Sequence, residues 1–498
     1  MKISANSDKV KVIFGLKIRQ LRFDKKLSLS EVSEKSGLSI SYLNEIEKGK
    51  KYPKTEKIMA LSEALEIDYD SLVSLRLSKK LEPISDFLNS NILTQLPLEI
   101  FGVDPADFIS LMSEAPAKIS AFISTITQIS RHYDIDIQKF YFSVLRSYKE
   151  MYDNYFPEIE AAAQEFRKVY GIANVTSPNA SLLGELLVKE FGYSIETFTK
   201  DSHPDLFAVR SFYNVKSNKL FVNSDLSPEQ LAFTYARELG YQFLKIKKRI
   251  CISSALEVKS FEEVLNNFRA SYFAGAILIN KDILIDRLTY FFANPKWDGN
   301  MLISIMKLFN ATTEVFMQRL TNLITSHFKI NNLFFIRFNN EVDKDTFVLT
   351  KEMHLSRLHN PHGNVLREHY CRRWVSLTIL KDLEKIQKET PEVSRNLLCK
   401  AQISEYQNTN SRYLVISIAK PSPPQKDTNA SISIGFGIDD NLKSIVNFLN
   451  DPSLIHNKVN ETCERCGIMD CTSRASEPTV LTKLERMDRI KTTIDAMS

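Results

Sequence analysis

The sequence predicts a multidomain protein that is mainly α-helical, with α+β regions in its later part. Its 498 residues exceed the size of one domain, so several hydrophobic cores are expected. Apolar residues recur at helical spacing in residues 9–75, whereas strand-like runs appear near residue 207 and become frequent after residue 333. The predicted segments are residues 1–78, 79–156, 157–328, 329–478 and 479–498.

Basic charge is concentrated at the N-terminal end. Residues 1–57 contain 14 Lys and Arg against 7 Asp and Glu, whereas the whole chain has a net charge of only +5. This distribution predicts phosphate contact by the first domain, because nucleic-acid binding depends on clustered cations. No apolar run reaches the ~18 residues of a membrane span, and the N-terminus lacks the apolar core of a signal peptide. We therefore expect a cytoplasmic protein without membrane contact.

Residues 28–49 have the pattern of two short helices joined by a tight turn. Ser28 can cap the first helix, and Glu31 three residues later completes a capping box. Gly37 lies where the chain must turn, because glycine tolerates a positive φ. Ser39 can then cap the second helix. The pattern predicts a helix-turn-helix.

The second of these helices has two different faces. Leu43 and Ile46 lie on one face, and small or amide side chains lie on the other, which suits base edges in the major groove of double-stranded DNA. The predicted base contacts are Ser39, Ile40, Ser41 and Asn44. The predicted phosphate contacts are Ser28, Lys48, Lys50 and Lys51.

Two segments of this region, Ile18–Arg22 and Leu27–Pro53, closely resemble the lambda-repressor-like XRE family of DNA-binding domains. The resemblance covers about Lys9–Leu75 and implies a compact five-helix domain. Leu29 stands where the family usually has Gln, a residue that often helps to grip DNA. We therefore expect the groove contact at Leu29 to differ from the family pattern. The alternative is a helical hairpin with another role.

Residues 79–156 are expected to form a helical linker and a candidate dimerisation region. Apolar stripes at helical spacing recur between residues 106 and 170. These helices either pair two subunits or pack within one chain, and the pattern leaves both open. A homodimer is favoured separately, because helix-turn-helix proteins commonly bind two half-sites.

Residues 157–328 form the next predicted unit. A helix is expected at residues 182–191, with paired strands at residues 207–214 and 219–223 and a capped helix within residues 227–249. This segment resembles the domain of the ImmA/IrrE-type zinc metallopeptidases. In that family, the last helix carries His-Glu-x-x-His, in which two His bind zinc and the Glu acts as a base.

The zinc ligands of that family are replaced here. The pentad begins with Arg237 and ends with Tyr241, and only Glu238 is retained. Matching the following helix places Arg269 at the third ligand position. Because Arg cannot bind Zn²⁺ as His does, the resemblance implies a peptidase fold without activity. The former site is either a scaffold, in which Glu238 pairs with Arg237 or Arg269, or a pocket in which the two arginines attract an anion.

Residues 329–478 are predicted to form an α+β domain similar to GAF or PAS sensor folds. Strands are expected at residues 333–338, 347–350, 413–419 and 431–438, and helices at residues 373–387 and 441–449. The remaining segment, residues 479–498, is expected to form an amphipathic tail helix.

Cysteines near the C-terminus have the spacing of metal ligands. Cys463, Cys466 and Cys471 lie within nine residues, so three thiols can converge on one metal centre. A fourth ligand is available in Cys371, before a predicted helix, or in Cys399, at the end of a helical stretch where a core cysteine is commoner. The residues alone leave open a [4Fe–4S] cluster, Zn²⁺ and free thiols.

The order of these motifs resembles the short-chain fatty-acid (acyl-CoA) responsive regulator family. The resemblance rests on the peptidase-like segment, Cys371–Trp374, the segments SRYLVISIAK and ISIGFGID, and the motif that begins at Cys463. It implies an acyl-CoA effector and an iron–sulfur cluster bound by Cys371, Cys463, Cys466 and Cys471. Arg372, Arg373 and Glu477 depart from the residues usual in the family.

These features together predict a sequence-specific transcriptional regulator and not an enzyme. The helix-turn-helix would be the output, and the C-terminal region would sense an acyl-CoA or the redox state. The rivals are a regulatory metalloprotease, against which the missing His pair argues, and a regulator that senses only oxidants or iron.

Overall fold

The computed structural model describes residues 5–74, 137–199, 201–206, 209–252, 258, 260–355, 368–390, 397–409, 411–422 and 427–497. The chain divides into two compact units. One contains Met1–Val144 and Glu257–Val264, and the other contains Leu145–Leu256 and Leu265–Ser498. The predicted boundary near residue 78 and most of the predicted dimerisation region lie outside the described residues.

The five predicted helices of the N-terminal domain are confirmed. They are α1 (Ala5–Asp24), α2 (Leu29–Ser36), α3 (Ile40–Glu47), α4 (Thr55–Ala64) and α5 (Tyr69–Val73). The hydroxyls of Ser28 and Ser39 accept hydrogen bonds from the amides of Glu31 and Tyr42, so the two serines cap α2 and α3. Gly37 ends α2 in the left-handed conformation with φ 67°.

A continuous apolar core holds α3 against its neighbours. Its buried members are Phe14, Ile18, Val32, Leu38, Leu43, Ile46, Ile58, Leu61, Leu65 and Leu72. Gly15 allows α1 to approach α3, because a Cβ at this position would overlap the carbonyl oxygen of Ile46. The core therefore determines the position of the helix that carries the predicted base contacts.

A buried ion pair also joins α1 to α3. Nε of Arg22 donates to Glu47 Oε1 at 2.7 Å, and Nη2 of Arg22 donates to Glu47 Oε2 at 2.9 Å. Nη1 of Arg22 donates to the carbonyl of Leu27 at 3.1 Å, just before α2. The hydrogen bonds that Arg22 donates to Glu47 raise the pKa of Arg22. One guanidinium thus connects three parts of the helix-turn-helix domain.

The described residues from 137 to 327 are mainly helical. The elements are α6 (Ile137–Met151), α7 (Pro157–Val169), α8 (Ala180–Phe191), β1 (Ser194–Phe198), β2 (Ser211–Asn214), β3 (Lys219–Asn223), α9 (Pro228–Phe243), α10 (Phe261–Leu278), α11 (Lys281–Ala293), α12 (Gly299–Met306) and α13 (Thr313–His327). β3 lies in the middle of a small sheet, parallel to β1 and antiparallel to β2. Of the strand predicted at residues 207–214, residues 211–214 form a strand, residues 209 and 210 do not, and residues 207 and 208 lie outside the described part of the chain.

A buried polar network ties α7 to α10 and α13. Arg319 donates to both carboxylate oxygens of Glu160, one of them at 2.9 Å. The hydroxyl of Tyr272 donates to Glu160 at 2.7 Å and accepts from the amide of Phe156 at 3.3 Å. All four residues are at most 6% exposed, so the network positions α10 against its neighbours.

The C-terminal region is α+β, as predicted. Its elements are β4 (Leu333–Glu341), β5 (Phe347–His354), α14 (Val375–Glu389), β6 (Leu398–Tyr406), β7 (Arg412–Pro421), β8 (Thr428–Gly437), α15 (Asp440–Ile445), β9 (Ile455–Val459) and α16 (Thr479–Met497). The strand order is β5-β4-β8-β7-β6-β9, and all neighbours are antiparallel except β6 and β9. The multidomain class, helical first and then α+β, is confirmed.

Both faces of the six-stranded sheet are covered by helices. Phe334, Ile336 and Val415 face α14 within one apolar cluster. Ile416 and Ile434, which point to the other face, line a small cavity together with residues of α11, α12 and α13. The sheet is therefore held between α14 on one face and α11, α12 and α13 on the other.

The predicted location of Cys399 at the end of a helical stretch is wrong. Cys399 lies in β6, where it pairs with Ile418 of β7. β6 was missed because a short apolar run such as Leu397–Cys399 fits a helix as well as a strand, and β9 was missed because Ile455–Val459 is apolar only at its two ends. Pairing with β7 decides the conformation of this segment, and that pairing is a tertiary contact.

The predicted tail helix is present as α16, and the structure shows no buried residue along it. Its apolar side chains, which include Leu484, Met487, Ile490 and Ile494, are about half exposed. Within the described part of the chain, no helix combines the length and the apolarity that crossing a membrane requires.

Candidate functional site

The predicted base contacts lie together on the outer surface of the N-terminal domain. Ser39, Ser41 and Asn44 are exposed, and Ile40 is 47% exposed although it is apolar. Leu43 and Ile46 of the same helix are fully buried. The division of α3 into an inner and an outer face is thus confirmed, whereas contact with bases stays a prediction.

The start of α2 has a different character. Ser28 and Glu31 form the expected capping box, in which the Ser28 amide donates to Glu31 Oε2 at 2.6 Å. These hydrogen bonds from Ser28 lower the pKa of Glu31. Leu29 is half-buried and packs against the domain core. Ser28 at the start of α2 is therefore exposed to solvent, whereas the side chain of Leu29 packs against the core.

Lysines flank the end of α3. Lys50 and Lys51 are exposed and Lys48 is half-buried. Nζ of Lys51 pairs with Glu45 at 2.8 Å. Lys57, which sequence reasoning missed, lies over the ring of Tyr42 at 4.1 Å from its centroid. Lys57 is the third residue of α4, and the packing of α4 in the folded domain brings it to this surface.

The former peptidase site is occupied by a side chain that sequence reasoning missed. Glu238 is 2% exposed and forms a buried ion pair with Arg249. The expectation that Glu238 pairs with Arg237 or Arg269 is therefore wrong. Arg249 follows α9 by six residues, and the chain after the helix returns it to the buried carboxylate.

Aromatic side chains enclose this ion pair. The guanidinium of Arg249 lies between the rings of Tyr213 and Tyr241, at 4.1 and 4.2 Å from their centroids. The hydroxyl of Tyr193 lies 3.3 Å from Glu238 and accepts a hydrogen bond from Gln242 at 2.7 Å. Burial raises the pKa of Tyr241 to about 12, so its hydroxyl stays protonated. The guanidinium of Arg249 thus lies beside Glu238, whose counterpart in the metallopeptidases acts as a base.

The two arginines of the predicted anion pocket have different partners. Nη2 of Arg237 donates to Ser211 at 3.4 Å, and its buried Nε has no hydrogen-bond partner in the structure described here. Arg269 hydrogen-bonds to Tyr148. Tyr241 donates to Asn267 at 2.9 Å. None of the three predicted ligand positions carries a zinc ligand, so the residues present do not fit the family's zinc site.

The loop that carries Cys463, Cys466 and Cys471, called the cysteine loop below, is the second candidate site, and several hydrogen bonds hold it in place. Arg474 donates to the carbonyls of Cys463 and Cys466 at 3.0 Å and to that of Ile468 at 2.7 Å. The amide of Cys463 donates to the carbonyl of His369 at 2.9 Å. Glu464 accepts from the amide and ring of His369. These bonds hold the loop against the segment that carries Cys371.

Three of the four predicted ligands share a buried environment. Cys371, Cys463 and Cys466 are each 5% exposed, and Cys471 is half-buried. Burial raises the pKa of Cys371 to about 11, and the two other buried thiols lie close enough to raise it further. The amide of Ala475 donates to Sγ of Cys463 at 3.4 Å, as in many metal-thiolate sites.

The donor chemistry fits a thiolate-bound metal centre. Among the described residues, however, no three His, Cys, Asp or Glu side chains are arranged as a preformed metal site. Ligation by Cys371, Cys463, Cys466 and Cys471 therefore stays a prediction. Cys399 is half-buried in β6 and Cys251 is half-buried elsewhere.

Comparison with known families identifies two segments of the chain. Residues 18–72 match the helix-turn-helix family, and residues 192–321 match the IrrE N-terminal-like domain. The chain contains a helix-turn-helix domain and an IrrE-like domain. The second match includes Arg237, Glu238, Tyr241 and Arg269, whereas the cysteine loop lies outside both.

Individual relatives are regulators by name. The propionyl-CoA carboxylase regulator of Cereibacter sphaeroides is 22% identical over 349 residues, which cover 66% of this chain and 68% of that protein. The HTH-type transcriptional repressor RghR of Bacillus subtilis is 39% identical over 61 residues, which cover 12% of this chain and 45% of the repressor. A solved transcriptional regulator of Mycobacterium tuberculosis aligns with a TM-score of 0.45 and 17% identity, over 68% of this chain and 93% of that one. The helix-turn-helix match and the names of the two sequence relatives support a DNA-binding transcriptional regulator.

Proposed function

We propose that the protein is a sequence-specific transcriptional regulator that binds double-stranded DNA through α3. The observation that carries this proposal is the outer face of α3, where Ile40, Ser41 and Asn44 are exposed on a helix held rigidly by the domain core. Small and amide side chains in this position suit base edges, and Lys50 and Lys51 beside them suit phosphate.

Fluorescence anisotropy with labelled genomic fragments tests the proposal. Asn44→Ala should weaken binding to a specific site by about 1–3 kcal/mol and leave non-specific binding unchanged, because it removes a base contact. Lys50→Ala should weaken both kinds of binding and reduce the salt slope by about one. Lys385→Ala, an exposed lysine on α14, is the matched control. Wild-type affinity in both N-terminal variants would contradict the proposal.

The proposed effector is an acyl-CoA thioester. Support comes from the motif order of the chain and from the name of the Cereibacter sphaeroides relative. An effector controls DNA binding only if its affinity differs between the DNA-competent and incompetent conformations. Calorimetry with several acyl-CoAs, combined with anisotropy in their presence, measures both sides of this coupling. The absence of any heat of binding, together with an unchanged DNA affinity, would exclude acyl-CoA control.

The proposed cofactor is a [4Fe–4S] cluster, with Zn²⁺ as the alternative. Cys371, Cys463, Cys466 and Cys471 would hold either metal centre. A cluster would supply a redox-sensitive centre, whereas zinc would supply a structural cross-link. Anaerobic purification followed by iron, sulfide and zinc analysis separates the two. A colourless protein with one zinc per chain would contradict the cluster.

The IrrE-like domain is proposed to be a scaffold without peptidase activity, because Glu238 is neutralised by Arg249 and no ligand position can bind zinc. Zinc-dependent proteolysis that Glu238→Gln abolishes would overturn this proposal.

The regulator is also proposed to act as a homodimer, since helix-turn-helix proteins commonly bind paired half-sites. Sedimentation velocity that shows a monomer at micromolar concentration, with and without DNA, would exclude the dimer.

The second candidate is a regulator that senses only oxidants or iron. It is favoured by the common location of Cys371, Cys463 and Cys466, since a metal centre held by these thiols would itself respond to oxidants or to the supply of iron. DNA affinity measured with the protein oxidised, and separately with acyl-CoA added, distinguishes the two candidates. A response to oxidation alone would favour the second.

A further inference from the structure

Basic side chains surround one carboxylate where the N-terminus of α13 meets the six-stranded sheet. Arg337 of β4 and Lys351 of β5 are direct partners in the strand register. Nε of Arg337 lies 3.6 Å from Oε2 of Glu314, and Nζ of Lys351 forms a close ion pair with Oε1 of the same residue. Glu314 is the second residue of α13, so the three groups join two strands to one helix end.

Two further cations act on the same carboxylate. Lys420 of β7 and Arg210, which precedes β2, both interact electrostatically with Glu314. Arg237 of the former peptidase site lies close enough to lower the pKa of Arg210 by charge repulsion. Glu229, a second carboxylate, raises the pKa of Lys420. Positive charge therefore exceeds negative charge here, although residues 58–498 as a whole carry 51 basic against 53 acidic residues.

Most of the cluster is shielded from water, but a ligand can reach it from solvent at Lys351. The side chain of Arg337 is 16% exposed and that of Glu314 is 19% exposed, whereas Lys351 is 50% exposed. Burial lowers the pKa of Lys420 and of Arg210, so each cation is held in surroundings that disfavour its charge. Although burial alone would raise it, Lys351 and Arg337 lower the pKa of Glu314 to about 2.

We infer that Arg337, Lys351 and Lys420 form a binding site for the phosphate or diphosphate group of a nucleotide-type effector. Glu314 is the internal anion that occupies this site until the effector replaces it. Arginine offers a planar fork to phosphate oxygens, and lysine offers a point charge, so the donor set matches a multiply charged oxyanion better than a single carboxylate. The inference rests on the proposed effector control and adds the residues that recognise the charged part of the effector.

Displacement of Glu314 by the effector would change the contacts between α13 and the sheet. Glu314 belongs to α13 of the helical segment, whereas Arg337, Lys351 and Lys420 belong to the sheet. Binding of an anion to the sheet cations would release α13 from its ion pairs. The contact between the helices and the sheet is therefore the element whose two states the effector would select.

Calorimetry on the full chain tests the site with pyrophosphate, coenzyme A and pantetheine, which lacks phosphate. Wild-type protein should bind pyrophosphate and coenzyme A competitively and should not bind pantetheine. Lys420→Met should weaken both ligands about tenfold, because it removes one cation from the site. Glu314→Gln should tighten pyrophosphate binding about fivefold, since it removes the competing anion. A purely structural ion pair predicts no such gain.

The controls separate this inference from the proposed function. Lys443→Met, which removes an exposed lysine that pairs with Asp440 on α15, should leave both affinities unchanged. Thermal unfolding of each variant verifies that it is folded. Acyl-CoA control of DNA binding that persists unchanged in folded Lys420→Met and Arg337→Met would overturn the site and leave the proposed function intact. Pyrophosphate binding that responds to both Lys420→Met and Glu314→Gln, without any effect of acyl-CoA on DNA affinity, would support the site and exclude the effector.

Discussion

The buried ion pair between Arg22 and Glu47 offers the sharpest test of how the DNA-binding domain is held together. The two side chains are only 9% and 5% exposed, and they form two direct hydrogen bonds between α1 and α3. Glu47→Ala would leave the Arg22 guanidinium buried without its carboxylate. Breaking one side of a buried pair typically costs about 3–5 kcal/mol, because the remaining charge stays desolvated.

That loss is large compared with the stability of the domain. About 70 residues at roughly 0.05–0.15 kcal/mol per residue give a free energy of unfolding of roughly 4–10 kcal/mol. Glu47→Ala should therefore remove about half of the stability of the helix-turn-helix domain. The domain should open between roughly two and four orders of magnitude more often, with a matching loss of DNA affinity wherever the open form becomes significantly populated.

Amide hydrogen exchange on the full chain measures this opening at the backbone of Leu43 and Ile46, both fully buried in α3. Glu45→Ala is the matched control, because Glu45 is a glutamate of the same helix whose partner, Lys51, is exposed; it should change stability by less than about 1 kcal/mol. The double variant Arg22→Met with Glu47→Leu should recover much of the loss. Unchanged exchange at α3 in Glu47→Ala would refute the reasoning.

Three further predictions concern separate parts of the molecule. Gly15→Ala should destabilise the N-terminal domain by about 1–3 kcal/mol or more, as measured by exchange at α3, because its Cβ overlaps the backbone of Ile46. Burial lowers the pKa of Lys149 from 10.5 to about 8, so the unfolded chain binds more protons between these values and wild-type stability rises with pH across that window. Lys149→Met should therefore raise stability by about 1–3 kcal/mol near pH 7, with the gain fading above pH 10.5, in denaturant titrations at several pH values. Arg474→Ala removes the hydrogen bonds that hold the cysteine loop, and it should speed the reaction of Cys463 with Ellman's reagent severalfold, whereas Arg489→Ala on the exposed tail helix should not.

Local sequence signals were sufficient to predict helix ends wherever residues close in the chain form hydrogen bonds with each other's backbone groups. The capping box of Ser28 and Glu31, the cap at Ser39 and the left-handed Gly37 all act within four residues, and all are present as predicted. The same holds for Ser227 and the start of α9. Helix starts depend on short-range hydrogen bonds, so a sequence can specify them without knowledge of the fold.

The partners of buried charges could not be predicted in this way. The loss of zinc ligands was evident from the pentad at residues 237–241, yet Arg249 and not Arg237 or Arg269 neutralises Glu238. The choice depends on where the chain returns after α9, and on Tyr213 and Tyr241, which enclose the guanidinium. Several arginines are chemically equivalent in the sequence, and only the tertiary fold brings one of them to the carboxylate.

The sequence by itself determined the order of the helix-turn-helix and IrrE-like segments, the five helices of the N-terminal domain and the absence of His at residues 237 and 241, because each depends on local pattern or residue chemistry. Only the tertiary structure decided that Cys399 lies in a strand, that β9 joins the sheet in parallel, and that Arg337, Lys351 and Lys420 meet at Glu314. These features depend on strand pairing and on contacts between residues far apart in the chain. Their free energy comes from groups that no local pattern brings together.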